Sequence, residues 1–348
     1  MNKAQGNQFI KYFLITFSSI LILYFIIFCL INPYLTAPVK GLPSLKPYHL
    51  NFILHKFEKL TSQKNKQILI IGSSTSEAFN PMDIKNISEL EAFSASTGGG
   101  ATPVRYIFFK QAIKNLPKLK KVIYVADFFE FNQPIAVADI SFTKEIKGLL
   151  SDTNFKSSYF DYLKHVYNNQ TLEALGTIIK RRKKNKITYI SNEGLTNRSM
   201  ILSPIKGEAG FKKTLSLESN HILKEQILEN TYTYRSQVLK DYRKLNDKIQ
   251  HLYQKMANEA LEKNIELIFI LSPYHFEFKK NLFQDKKIKK RFEEWVTFMA
   301  TLKNKNVKVC DWALESSIAR NRDSAVWRDG IHFNRESASV IIRKCLKF

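Results

Sequence analysis

The chain has 348 residues, 44% of them hydrophobic, enough for one large domain with a sizeable core beside a short membrane or linker element. Lys and Arg outnumber Asp and Glu by 54 to 31, a net charge of +23 that favours anionic neighbours: lipid headgroups, acidic glycans or nucleic acid. None of the three cysteines has metal-ligand spacing, which argues against a structural zinc site.

Tyr12 to Ile31 carries no charge, and a helix of that length spans roughly 30 Å, the thickness of a bilayer's hydrocarbon core. Lys3 and Lys11 precede it and Asn32 to Val39 is uncharged. The positive-inside rule therefore predicts a cytoplasmic tail at 1–8, a transmembrane anchor at 9–31 and an extracytoplasmic remainder. A cleavable signal peptide would have a shorter apolar region and a small-x-small cleavage site. Leu35-Thr36-Ala37-Pro38 is a poor one, so an uncleaved anchor in a bacterial cytoplasmic membrane is the reading taken. A core helix fits less well, because the segment is apolar on every face. This topology ranks the membrane surface above nucleic acid as a partner, and no nucleic-acid role is expected.

Residues 32–60 read as a stalk and a lead-in helix: Pro33, Pro38, Gly41 and Pro43 stiffen the first part, and Asn51 to Leu60 is amphipathic. A domain at 61–348 follows. Short apolar runs at Gln67–Ile71, Glu91–Ala95, Lys121–Ala126, Ile265–Leu271 and Val307–Cys310 predict strands. Helical patterns at Thr102–Leu116, Lys240–Lys263, Lys286–Leu302 and Arg335–Lys347 alternate with them. That alternation predicts a flavodoxin-like three-layer α/β/α fold with a parallel sheet of about five strands. A stretch at about 128–234 breaks the rhythm and reads as a mostly helical insertion, including the basic run Lys180-Arg181-Arg182-Lys183-Lys184-Asn185-Lys186. Cys310 and Cys345 are free to pair in an oxidising compartment, but spacing does not decide whether they do.

In a doubly wound sheet, reactive groups gather at the carboxyl ends of the strands. Ser74, in Gly72-Ser73-Ser74-Thr75, follows the first strand on a turn that would expose its hydroxyl. Its own N–H could face an oxyanion, although a helix-capping turn explains the same residues. Gly98-Gly99-Gly100 offers a second backbone donor at Gly99, or simply a flexible turn. Asp329 and His332 carry more weight. With 7 His and 11 Asp in the chain, chance predicts about 0.2 Asp-x-x-His occurrences. The spacing lets the carboxylate accept from one imidazole nitrogen and leaves the other to take a serine proton. His275, in Ser272-Pro273-Tyr274-His275 after the fourth strand, is a candidate substrate contact or a histidine merely satisfied beside the sheet.

The ordered set Gly72-Ser73-Ser74, the glycine cluster and Asp329-x-x-His332-Phe333-Asn334 resembles the SGNH (GDSL-like) hydrolase superfamily. It looks closest to the membrane-anchored bacterial branch, which includes proteins of teichoic-acid D-alanylation and alginate acetylation. The resemblance implies Ser74 as nucleophile, His332 as general base and Asp329 as its orienter, with the amides of Ser74 and Gly99 as oxyanion donors. It also implies no cofactor, an acyl ester or cell-envelope polysaccharide as substrate, and a membrane-bound O-acyltransferase as partner. The family's third block, Gly-x-Asn-Asp, is replaced here by Val125-Ala126-Asp127-Phe128. A missing oxyanion donor would cost roughly 3–4 kcal/mol in barrier. Either Asn132 swings in from the following loop as donor, or Asp127 takes a structural role. The rival reading is a catalytically weakened accessory protein that binds an acidic glycan or an anionic membrane surface. A Phe128 side chain plugging the pocket would favour it.

Overall fold

The computed structural model describes residues 3–32, 42, 44, 52–98, 102–132, 166–167, 169–184, 191–195, 217–314, 316–321 and 326–346. They fall into two compact units, 1–54 with 137–188 and 55–136 with 189–348. Most of the stalk and much of the insertion lie outside the described residues.

In the first unit, α1 (Lys3–Ile31) contains the 25-residue apolar stretch Asn7–Ile31, a candidate membrane span or signal anchor. Its side chains from Phe9 to Leu23 are mostly exposed, as a helix built to face lipid requires.

From residue 52 onward the helices in chain order are α2 (Phe52–Thr61), α3 (Pro81–Ser88), α4 (Thr102–Asn115), α5 (Asn169–Lys183) and α6 (Leu217–Thr233). After them come α7 (Asp247–Glu262), α8 (Phe276–Leu282), α9 (Lys286–Thr301), α10 (Ser317–Arg320) and α11 (Arg335–Leu346). The strands are β1 (Ile68–Gly72), β2 (Ala92–Ser94), β3 (Lys121–Ala126), β4 (Glu266–Leu271) and β5 (Val307–Asp311). They form one parallel sheet in the order 2-1-3-4-5, the predicted α/β architecture. Every residue of β1 is buried, as are the last five of β3 and of β4. Strands covered on both faces read as unbroken apolar runs, which is why Ile68-Leu69-Ile70-Ile71 carries no polar alternation.

Strand order reverses at β1, with β2 on one side and β3, β4 and β5 on the other. Right-handed crossovers then set α3 on one face of the sheet and α4, α7 and α9 on the opposite face. On the second face the Tyr106 hydroxyl of α4 donates to Glu259 of α7 at 2.7 Å. On the first, Arg335 of α11 pairs with Asp83 of α3 through two charge-assisted bonds. Helix α7 buries Ile249, Leu252, Tyr253, Met256, Ala257 and Ala260, the 3.6-residue stripe that seats it on the sheet. It begins at Asp247, not at the expected Lys240. The Asn246 side chain accepts from the N–H groups of Lys248 and Ile249 and caps the helix there.

Two contacts were not legible beforehand. Cys310, in β5, and Cys345, in α11, are joined by a disulfide. Part of the insertion returns to the edge strand β2, where the Ser94 N–H donates to the Glu193 carbonyl at 2.7 Å. Gly194 there has φ +78°, and a Cβ on it would stand 2.2 Å from the Ser94 carbonyl oxygen, so only glycine fits. The contact covers backbone groups that an edge strand otherwise leaves open.

Candidate active site

The point where strand order reverses is where a doubly wound fold opens a crevice at the carboxyl ends of its strands. β1 delivers the segment after Gly72 to this point, and β3 delivers Asp127. A Cβ at Gly72 would meet the Val125 carbonyl oxygen at 2.8 Å and Ser76 Cβ at 2.7 Å, so the absence of a side chain lets the chain turn beside β3. Ser73 then caps a 3₁₀ turn, Ser74–Ala78, its hydroxyl accepting from the Thr75 N–H at 3.2 Å. The Ser74 N–H has no hydrogen-bond partner among the described residues.

The second half of the site is built as a looped hairpin. Trp327 and Phe333 pair in an antiparallel bridge, and the Arg328 N–H donates to the His332 carbonyl at 2.9 Å. Trp327 is fully buried, its indole N–H donating to the Ile318 carbonyl at 3.2 Å, so the base of the loop is fixed in the core. Gly330 sits against the Phe278 ring, where a Cβ would come within 2.6 Å of ring carbons. Its carbonyl accepts from the His275 N–H at 3.0 Å. Within the loop, Asp329 Oδ1 accepts from the N–H groups of Ile331 at 2.9 Å and His332 at 2.8 Å. That leaves Oδ2 for the imidazole.

The two halves meet. His332 Nδ1 lies 2.7 Å from Asp329 Oδ2, and His332 Nε2 lies 2.7 Å from Ser74 Oγ, 258 residues away in sequence. Burial opposes ionisation of Asp329, but its bonds to the His332 imidazole and the two amides outweigh it and hold the carboxyl below the usual range. A carboxylate fixed at one end of an imidazole and a hydroxyl at the other can pass a proton from the hydroxyl to the ring.

A second carboxyl braces the Ser74 turn. Asp127 Oδ2 accepts from the hydroxyls of both residues flanking Ser74: from Ser73 in a very short bond and from Thr75 at 2.9 Å. Its Oδ1 accepts from the Tyr274 hydroxyl at 3.4 Å, which in turn accepts from the Phe128 N–H at 2.9 Å. Burial, then the neighbouring Glu130 carboxylate, push the Asp127 carboxyl up to about 6, against bonds from Ser73 and Thr75 and the Arg105 charge. Glu130 itself is a buried hub: it pairs with Arg105 at 2.6 Å and accepts from Thr102, Tyr124 and Tyr253.

Of the candidates read from sequence, Ser74, Asp329 and His332 are brought together. Gly99 lies outside the described residues, although the loop leading to it is held beside the site by the Thr97 N–H, which donates to the Gly72 carbonyl at 3.0 Å. The Asn132 amide donates to the Val238 carbonyl at 2.6 Å. His275 is buried and caps α8, its Nδ1 accepting from the Glu277 N–H at 3.2 Å, while its backbone N–H supports the Gly330 loop. The Phe128 ring packs in the core against Phe129, Tyr242, Phe292 and Trp295. Sequence reasoning missed Tyr234, whose ring lies 4.2 Å from Phe129 and 5.5 Å from Phe278. Burial, then the charges of Asp127 and Asp329, push its hydroxyl up. Its sequence neighbourhood holds no motif that could have signalled this.

No family model matches this chain, and no curated protein matches it. Among solved structures it is similar to one from Streptococcus pneumonia, provisionally described as a platelet activating factor, with 10% identity and a TM-score of 0.31 over 85% of this chain and 94% of that chain. A likeness that low lends no weight to any reading of the site.

Proposed function

We propose that this chain is a membrane-anchored serine esterase or O-acyltransferase of the SGNH type, acting on acyl esters of a cell-envelope polysaccharide. The observation that carries the proposal is the unbroken relay from Ser74 Oγ to His332 Nε2 and from His332 Nδ1 to Asp329 Oδ2, 2.7 Å at each step. In this mechanism Ser74 Oγ attacks the ester carbonyl while His332 takes its proton, and Asp329 stabilises the imidazolium. The amides of Ser74 and Gly99 are the proposed donors to the oxyanion. Collapse expels the alcohol, which takes the proton from His332, and water or a sugar hydroxyl then releases the acyl group from Ser74.

The residues supply this chemistry without a bound group, since nucleophile, base and orienter are all side chains of the chain. The acetyl group, the polysaccharide and a membrane-bound acyltransferase partner rest on the sequence resemblance. The candidate span in α1 and the Cys310–Cys345 disulfide support an extracytoplasmic domain. The accessory reading called for the Phe128 ring in the pocket, whereas that ring is buried against Tyr242, Phe292 and Trp295.

The test is a fluorophosphonate label and an aryl acetate substrate, applied to the wild type and to Ser74→Ala. Wild type should label at Ser74 and release acetate, and the variant should lose on the order of 10⁶ in kcat, the loss seen when a triad serine is removed. Undiminished hydrolysis by Ser74→Ala would end the proposal.

A further inference from the structure

The basic run near residue 180 takes no part in the proposed chemistry, and its surroundings suggest a separate role. α5 shares a compact unit with α1. The chain just before α5 is fastened to the second half of α1. The Tyr24 hydroxyl donates to the Val166 carbonyl at 2.8 Å, and the Tyr167 hydroxyl donates to the Leu21 carbonyl at 3.3 Å. The Tyr24 and Tyr167 rings lie 5.3 Å apart, and Val166 is buried with Phe28 and Cys29. A bilayer core takes up about 20 helical residues. Wherever such a window falls within Asn7–Ile31, Leu21 to Cys29 lies at or beyond its midpoint on the side away from the N-terminus. Residues 166–167 therefore reach the membrane, and α5 starts two residues later.

The faces of α5 fit that location. Thr171, Ala174, Leu175 and Ile178 are buried, whereas Leu172 is 57% and Ile179 45% exposed. Leu172, Gly176, Ile179 and Lys183 stand at i, i+4, i+7 and i+11, one stripe of the helix. No heavy atom lies within 4 Å of a Cβ built on Gly176, so the stripe is open. Lys180, Arg182, Lys183 and Lys184 are exposed at the carboxyl end. Two exposed apolar side chains on a free-standing helix would need no explanation. On a helix tied to a membrane span, next to tyrosines and a cluster of exposed cations, they form an interfacial amphipathic surface.

We propose that α5 lies on the bilayer that α1 crosses, with Leu172 and Ile179 at the boundary of the acyl chains and Lys180, Arg182, Lys183 and Lys184 on the phosphates of anionic lipids. The proposal rests on α1 being a span. Each basic side chain near an anionic surface strengthens attachment about fivefold.

The full chain, with Cys29→Ala and a thiol-reactive NBD label on Ile179→Cys or Thr177→Cys, is reconstituted into vesicles. These are phosphatidylcholine alone, or 3:1 phosphatidylcholine to phosphatidylglycerol. With the anionic lipid, the label at 179 should emit to the blue of the label at 177 and be quenched at least twice as strongly by headgroup nitroxide lipids. Replacing Lys180, Arg182, Lys183 and Lys184 by Gln should bring the 179 label to its level in neutral vesicles. Equal quenching at 177 and 179, or no dependence on the anionic lipid, would overturn the proposal. Retention of the chain after a carbonate wash separates the two layers of the argument. A retained chain with label 179 in water refutes the α5 proposal alone, and a chain that washes off refutes the span as well.

Discussion

Replacing Asp329 by Asn tests the relay more sharply than removing the nucleophile does, because it keeps shape and packing and changes only where one proton sits. Asp329 Oδ1 accepts from the amides of Ile331 and His332, at 2.9 and 2.8 Å, while Oδ2 faces His332 Nδ1 at 2.7 Å. The Asn oxygen must stay on the two amides. Turning the group over would aim its NH₂ at two N–H donors and leave both unpaired, at about 1–3 kcal/mol each. The NH₂ therefore faces Nδ1, which has to become an acceptor, and the ring proton moves to Nε2. Nε2–H then points at Ser74 Oγ, 2.7 Å away, and cannot take its proton. The expected loss in kcat is on the order of 10⁴-fold, about 5.5 kcal/mol, as for other Ser-His-Asp triads given the wrong tautomer. Steady-state hydrolysis of an aryl acetate measures it, with a thermal melt to show that the fold is kept. A folded Asp329→Asn protein within tenfold of wild type would refute the assignment of His332 as base.

Three further outcomes follow from the supporting structure. Glu130→Gln removes the charge that faces buried Arg105 at 2.6 Å, and should destabilise the fold by about 3–5 kcal/mol in urea titration; an unchanged midpoint would show that Glu130 is not the hub described. Breaking the Cys310–Cys345 bond, by reduction or by Cys345→Ser, opens a loop with a sequence separation of 35. That should lower stability by about 4 kcal/mol on the chain-entropy account, and equal melting with and without reductant would contradict it. Asp127 titrates at about 6 in the folded protein against an ordinary 3.8, so the folded state holds the extra proton between those values. Its contribution is fully present below about pH 4 and is lost as pH rises through 6, by about 3 kcal/mol. The difference in unfolding free energy between wild type and Asp127→Asn should show that slope between pH 4 and 7; a flat difference would be evidence against it.

The sheet was legible because its strands are buried on both faces, and unbroken Ile, Leu and Val runs ended by glycine or a polar turn have few other uses. The helix before β4 was mispositioned at its start. Apolar periodicity continues back past Asn246, and only the capping geometry shows that this asparagine ends the helical pattern. Ser74, Asp329 and His332 were legible because the Asp-x-x-His spacing is local and the serine follows a recognisable strand. Asp127 was not: its partners Ser73 and Thr75 lie more than 50 residues upstream, and the bond between them depends on β1 and β3 being neighbours. His275 and Asn132 were left between two roles for a related reason. A polar residue near a strand end is equally suited to capping a helix or tying a loop, and burial decides between the roles.

The two carboxyls of the site have been driven in opposite directions by their surroundings, and that separation assigns their work. Asp329 takes two backbone amides and an imidazole, all of which favour the anion, so it is held ionised where a histidine must be oriented. Asp127 is sealed among Ser73, Thr75 and Tyr274 beside another carboxylate, and its proton is held to about pH 6. Two groups of the same chemical type in one crevice, one low and one high, normally divide roles in this way. On the proposed mechanism the ionised one serves the base, and the other holds the turn that carries Ser74. The segment after β3 has a structural use for Asp127. It is an acceptor aimed at the residues on either side of Ser74, and the proposed mechanism leaves the oxyanion to backbone amides.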